Sequence, residues 1–128
     1  MAAISVDNIS TVGIVVNMPN SLSPAMFHIL MSIAEEERHG YAIIQDVAAS
    51  TNGELRLSPG TLYRSIQRML EQGLIVESRR RPARELDDER RRYYRITPLG
   101  ITTARAELRR MAKLVRLGRD RGIKPEPA

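Results

Sequence analysis

A change of hydrophobic period at Gly73 constrains this chain more than any other feature. Before it, in "SPGTLYRSIQRMLEQ" (residues 58–72), Leu62, Ile66, Met69 and Leu70 recur at i, i+4, i+7 and i+8, the stripe of a helix that must face a core. After it the period falls to two: Leu74 to Arg79 and Arg91 to Thr97, rich in Ile, Val and Tyr, read as strands. The connection "RRRPARELDDER" (residues 79–90) is polar, carries a proline and is too long for a tight turn, so the pair predicts a hairpin with a protruding tip.

Helix starts are marked by a repeated signature. Ser23-Pro24, Ser58-Pro59 and Thr97-Pro98 each place a hydroxyl cap before a proline, whose missing N–H is no loss at the first helical position. The first signature opens a helix over roughly Pro24 to Glu36, with Met26, Phe27, Leu30, Met31, Ile33 and Ala34 inward, and "EEERHG" ends it. A second helix, about Tyr41 to Ser50, places Tyr41, Ile44, Val47 and Ala48 on one side, with Gly53 as a left-handed stop. Leu55 to Leu57 reads as a very short strand, and a further short strand is expected at Val12 to Val16. The last signature opens a helix to about Leu117 in which Ile101, Ala104, Leu108, Met111 and Val115 are spaced 3, 4, 3 and 4, a heptad seam suited to a second copy of the chain. The organisation is a tail at 1–21, a helix–hairpin domain at 22–97, a dimerisation helix at 98–117 and a flexible tail at 118–128.

Three helices followed by a two-stranded hairpin is the layout of a winged helix-turn-helix, an α+β, mainly α fold in which the third helix enters the DNA major groove. The charge distribution points the same way. Residues 1–55 hold one Arg against six acids, residues 56–95 eleven Arg against six, and residues 96–128 six Arg and two Lys against three, so the net +5 is concentrated after the first third. Almost all of it is arginine, whose planar fork suits phosphate and guanine edges. Duplex DNA is therefore the expected partner.

With the aliphatic stripe inward, Thr61, Arg64, Ser65 and Arg68 should point away from the core, flanked by Tyr63 and Gln67. Arg can grip guanine, Gln can pair with adenine and Thr can touch a thymine methyl. Ser58 and Gly60, at the helix start, offer free backbone donors to a phosphate. On the hairpin Arg79, Arg80, Arg81 and Arg91 are expected phosphate contacts, with Tyr93 alternating outward beside Arg91 and Arg95, and Tyr94 and Ile96 facing the core.

"HGYAI" (residues 39–43), "LSPGTLYRSIQRMLEQGLI" (residues 57–75) and "DDERRRYYRITPLG" (residues 87–100) resemble the PadR family of bacterial transcriptional regulators over roughly residues 22–117. The resemblance implies a homodimeric winged-helix repressor, joined through its C-terminal helix, that occupies a palindromic operator and leaves it when a small-molecule effector binds. It also implies that Tyr63 contacts DNA and that Tyr94 supports the wing. With one C-terminal helix the chain is similar to the short members, and without Trp it has no indoles to clamp a flat aromatic molecule.

Other classes find less in the sequence. His28 and His39 are unaccompanied by Cys, no metal-ligand spacing appears, and neither a nucleophile elbow nor a glycine-rich phosphate loop is present, so no enzyme, cofactor or metal site is expected. Cysteine is absent, which excludes disulfides. The longest apolar run, Val12 to Val16, is far short of the about 20 residues that span a bilayer, and no signal peptide is evident, so a cytoplasmic location is expected without membrane contact. The rival reading is a winged-helix protein-interaction module that never binds DNA, separable by the steep salt dependence that DNA binding shows.

Overall fold

The computed structural model describes residues 22–79 and 92–125. The elements are α1 (Pro24–Ser32), β1 (Arg38–His39), α2 (Gly40–Ser50), α3 (Pro59–Glu71), β2 (Ile75–Ser78), β3 (Tyr93–Ile96) and α4 (Pro98–Asp120). The strands form an antiparallel sheet in the order β1-β3-β2, with Arg38 opposite Tyr94, His39 opposite Tyr93 and Ile75 opposite Ile96.

The three hydroxyl caps sit where the sequence placed them. Ser23, Ser58 and Thr97 accept the backbone N–H groups of Met26, Thr61 and Gly100 at 3.1, 3.1 and 3.0 Å. Ends are set differently. The α3 helix closes through a paired backbone motif, in which the Gly73 N–H donates to the Leu70 carbonyl and the Leu74 N–H to that of Met69 at 2.9 Å. Gly73 has φ +77°, a left-handed conformation that costs a glycine little. That turn aims the chain straight into β2.

The α1 helix ends at Ser32 rather than near Glu36. Arg38 Nε donates to the Ser32 carbonyl at 2.7 Å, so a side chain from β1 takes up an orphan acceptor of the last turn. The expected strand at Leu55 to Leu57 does not form; Leu57 is instead a buried loop residue. Its place in the sheet is taken by β1, inside the segment read as a helix end. His39 then caps α2, its Nδ1 accepting the Ala42 N–H at 3.2 Å. Gly53 does stop that helix in the left-handed region, at φ +81°.

One apolar core joins these elements. Ile29 and Leu30 of α1, Ile43 and Val47 of α2, and Leu62, Ile66 and Met69 of α3 meet Leu74, Ile75 and Tyr94 of the hairpin and Ala104 of α4. Two inward assignments are corrected: Met31 and Ala34 are exposed while Ile29 is fully buried, and Tyr41 is 62% exposed while Ile43 fills its expected place. Both helices carry apolar residues outside a single stripe, so spacing alone leaves their rotation ambiguous. The α4 helix runs three residues past Leu117 and ends through a second paired motif at Gly122, φ +85°, where the Ile123 N–H donates to the Gly118 carbonyl at 2.7 Å.

The α4 helix is seated on the hairpin by Thr97 and Gly100. Thr97 Oγ1 lies 2.6 Å from the Gly73 carbonyl and 3.0 Å from that of Leu74, and the Thr97 N–H donates to the latter at 3.0 Å. At Gly100 the backbone of α4 approaches the Leu74 carbonyl and the Ile96 side chain so closely that a Cβ would overlap both. Apart from Ala104 the apolar side of α4 is left exposed by the described residues: Ile101, Leu108, Met111, Leu114, Val115 and Leu117 are all exposed.

Candidate nucleic-acid interface

Burying Leu62, Ile66 and Met69 turns the opposite arc of α3 to solvent. Gly60, Tyr63, Arg64, Gln67 and Arg68 are exposed there, with Ser58 at the helix start and Thr61 half-buried at its edge. Ser65 departs from expectation. It is only 8% exposed, because the N-terminal end of α1 lies beside that turn of α3.

The arginines separate into two groups. Arg38 is held by Glu36 at 3.2 Å and Asp46 at 3.7 Å, Arg92 by Glu77 at 3.0 Å, and Arg110 by Glu107 at 2.6 Å. By contrast Arg56, Arg64, Arg68, Arg79 and Arg95 have no carboxylate partner among the described residues. Arg64 makes only a contact of 3.4 Å to Thr61 Oγ1, itself 3.1 Å from Ser58 Oγ. Guanidinium groups left without counter-charge, two of them one turn apart on the outer arc of a helix, suit a polyanion. Gln67 Nε2 rests on Glu71 Oε2 at 3.3 Å, an exposed contact that a base edge can displace.

Tyr63 is 53% exposed, and its ring lies across Gly40. A Cβ at residue 40 would stand 2.5 Å from the Tyr63 hydroxyl and 3.1 Å from Leu62 Cδ2, so the absent side chain at the start of α2 makes room for a tyrosine on α3. This links "HGY" to "PGTLY" physically. Tyr94, at the centre of the sheet, is 4% exposed. Burial raises its phenol pKa above the ordinary tyrosine range; the Tyr63 phenol and the Glu77 carboxylate add to this and Arg92 opposes it.

Tyr93, expected outward, is 8% exposed and lies edge-on to His39 with ring centroids 5.3 Å apart. Its covered position removes it from the surface a duplex could touch. Of the other hairpin residues, Arg79 and Arg95 are exposed, whereas Arg80, Arg81 and Arg91 lie outside the described residues, as do the tail at 1–21 and the strand expected at Val12 to Val16. Ala104, expected in the heptad seam, is 8% exposed because it belongs to the domain's own core. Sequence reasoning passed over Arg56, which stands exposed just before the Ser58 cap without a carboxylate partner among the described residues; a lone arginine in a loop carries no periodic signal. Among the described residues no cluster of His, Asp and Glu could hold a metal ion, and no helix is long and apolar enough to cross a membrane. Glu37 serves the fold, accepting a hydrogen bond from Ser78 Oγ at 2.5 Å.

Comparison with known proteins follows the same outline. Residues 29–106 match the model of the transcriptional regulator PadR-like family. The transcriptional regulator Rv3488 of Mycobacterium tuberculosis is 37% identical over 89 residues, spanning 70% of this chain and 77% of that protein. Among solved structures, a PadR family transcription regulator from Clostridium difficile superposes with a TM-score of 0.62 at 20% identity, covering 77% of this chain and 97% of its own. A transcriptional regulator from Clostridium thermocellum gives 0.61 at 24% identity, covering 74% and 89%. These likenesses in structure bear on the fold, which is winged-helix.

Proposed function

This chain belongs to the PadR-like family of transcriptional regulators, and from that premise we propose that it binds duplex DNA through α3 as a homodimeric repressor of a palindromic operator. The observation that carries the reading is the outer arc of α3, where Arg64 and Arg68 stand exposed, without acidic partners among the described residues, beside Tyr63, Gln67 and Thr61. Gly60 and Ser58 bring the start of the helix to the same surface. Arg79 and the hairpin arginines Arg80, Arg81 and Arg91 extend the contact to flanking backbone, where they add affinity without sequence preference.

The dimer rests on the uncovered apolar side of α4. Leu108, Met111 and Val115, with Ile101 at one end and Leu114 alongside, form a stripe left exposed by the described residues of one copy. A second copy packed there buries it, and a two-fold axis then sets two α3 helices about one DNA turn, roughly 10 bp, or a multiple of it apart.

Genomic fragments captured by the tagged protein supply the test duplexes. Binding should weaken linearly with log salt, by about 0.9 per phosphate neutralised. Arg64→Ala should cost about 1–3 kcal/mol at one position of the site and relax the preference there. Retention of full preference after that substitution, or binding indifferent to salt, rules the α3 reading out.

A further inference from the structure

The outer arc of α3 has two flanks. At 3.6 residues per turn, Gly60, Tyr63 and Gln67 lie on one side, Thr61, Ser65 and Arg68 on the other, and Arg64 runs between them. The second flank borders a shallow groove of about 260 Å³ between α3 and the start of α1, lined by Ser23, Met26, Thr61, Arg64, Ser65 and Arg68. The groove falls below the roughly 300–1,000 Å³ of drug-sized pockets and is open to solvent. Its chemistry is uneven: one apolar side chain, three hydroxyls, two guanidinium groups and no acid.

Ser65 is the informative member. It is more than nine-tenths buried, its hydroxyl makes no hydrogen bond among the described residues, and it lines the groove. A hydroxyl so placed keeps a donor proton open to the groove, where an outside acceptor can take it. Arg68, one turn further along, has no carboxylate partner among the described residues. The first turn of α1, capped by Ser23, adds the positive end of a helix to the same groove. A hydroxyl donor set low in the groove, a guanidinium and a helix start line the same recess, a set of donors that suits an oxyanion with tetrahedral acceptors better than a flat base edge.

We propose that this groove seats one phosphate of the DNA backbone, with Ser65 Oγ and the Arg68 guanidinium as its donors, so that Arg68 fixes the depth of α3 and does not read a base. The assignment rests on the DNA-binding reading above and divides its labour: Arg64 and Gln67 face the bases, while Ser65 and Arg68 hold the strand beside them. Ser65→Ala separates binding from folding, because removing an unpartnered hydroxyl costs the free protein nothing.

The probe is a duplex selected by the protein from a random-sequence pool, bound at a series of salt concentrations and then rebuilt with a single neutral methylphosphonate at each linkage in turn. Arg68→Ala should weaken binding to every sequence by a similar factor and lower the salt slope by about 0.9 per half-site, about 1.8 for the dimer, with base preference unchanged. Ser65→Ala should weaken binding about tenfold per half-site, the worth of one hydrogen bond to a charged group, with an unchanged or higher Tm. Among the neutral linkages that cost the wild-type chain affinity, one per half-site should show a loss that shrinks in both variants. The proposal is overturned if Arg68→Ala shifts preference at one base pair and leaves the salt slope alone, or if Ser65→Ala binds as tightly as wild type. A wild-type chain that selects no duplex defeats the DNA reading itself, and this assignment with it.

Discussion

Gly100→Ala is the sharpest probe of the fold, because two effects of known size oppose each other. In an ordinary helix interior the change is favourable by about 1 kcal/mol, since alanine restricts the unfolded chain and suits the helix. Here the new Cβ would overlap the Leu74 carbonyl oxygen and come within 2.8 Å of Ile96 Cγ1. A carbonyl in the backbone between α3 and β2 cannot rotate aside as a side chain would, so α4 must lift. Overpacking of this kind costs about 1–3 kcal/mol. Lifting also stretches the bonds from Thr97 to the Gly73 and Leu74 carbonyls, each worth about 0.5–1.5 kcal/mol. The clash wins, with a net loss of about 2 kcal/mol, or roughly 8–16 °C in Tm for a domain of this size. Gly60→Ala is the matched comparison: its Cβ meets only the tip of the Arg64 side chain, at 3.2 Å from Nη1, and that tip can swing away. Parallel urea and thermal melts should show Gly100→Ala clearly destabilised and Gly60→Ala equal to wild type or slightly better. A Gly100→Ala protein as stable as wild type would refute the close approach of α4 to the hairpin.

Thr97→Val should lower stability by about 1–2 kcal/mol in urea melts, through loss of the α4 cap and of the donor facing the Gly73 carbonyl, and Thr97→Ser should restore most of it. Leu108→Arg or Met111→Arg should leave the domain folded by circular dichroism and convert the chain to a monomer in sedimentation equilibrium, with operator affinity falling with it; an unchanged dimer moves the interface elsewhere. Tyr94 supplies a pH test. Its folded pKa is raised above the usual 10.0, so the native state holds the phenolic proton longer than the unfolded chain does. The stability that goes with the neutral phenol is complete below pH 10 and lost as pH rises from there through the folded pKa. Unfolding free energies at pH 9 and 10.5 should fall more steeply for wild type than for Tyr94→Phe, and equal slopes would show that the ring is not desolvated.

What was legible in the sequence follows a physical division. Caps and stops are local chemistry, and Ser23, Ser58, Gly73 and Thr97 act within a few residues of themselves, so their positions are written in the chain. The stripe of α3 was equally plain, because its remaining residues are polar and leave one solution for its rotation. The β1 strand could not be seen: two residues have no period, and their pairing with β3 lies more than fifty positions away. Its presence also explains the misplaced Tyr93. A half-covered hairpin strand alternates inward and outward, but β3 is the central strand, and the chain entering α2 brings His39 against the face that would otherwise be wet. Ser65 and Ala104 were misjudged for a related reason. Each is a small residue on the margin of a stripe, where burial is decided by the neighbouring helix and not by the residue's own hydropathy.

The same margins join the two halves of the proposed function. The α3 helix ends at Gly73, and the carbonyls of Gly73 and Leu74 are the acceptors to which Thr97, the first residue of the α4 cap, is tied. Three residues later Gly100 closes the remaining space against Leu74. The end of α3 and the start of α4 are therefore fixed to each other by the short Thr97 side chain and by backbone in close contact, with little slack to absorb a change of angle. If two copies meet along Leu108, Met111 and Val115, the angle of that meeting passes through Thr97 and Gly100 to both α3 helices. Tightly seated in this way, the dimer should accept one half-site spacing and reject operators lengthened by even a few base pairs, whereas a loosely hinged one would tolerate them. Thr97→Val, which loosens the joint without touching either surface, should then widen the range of spacings bound before it abolishes binding.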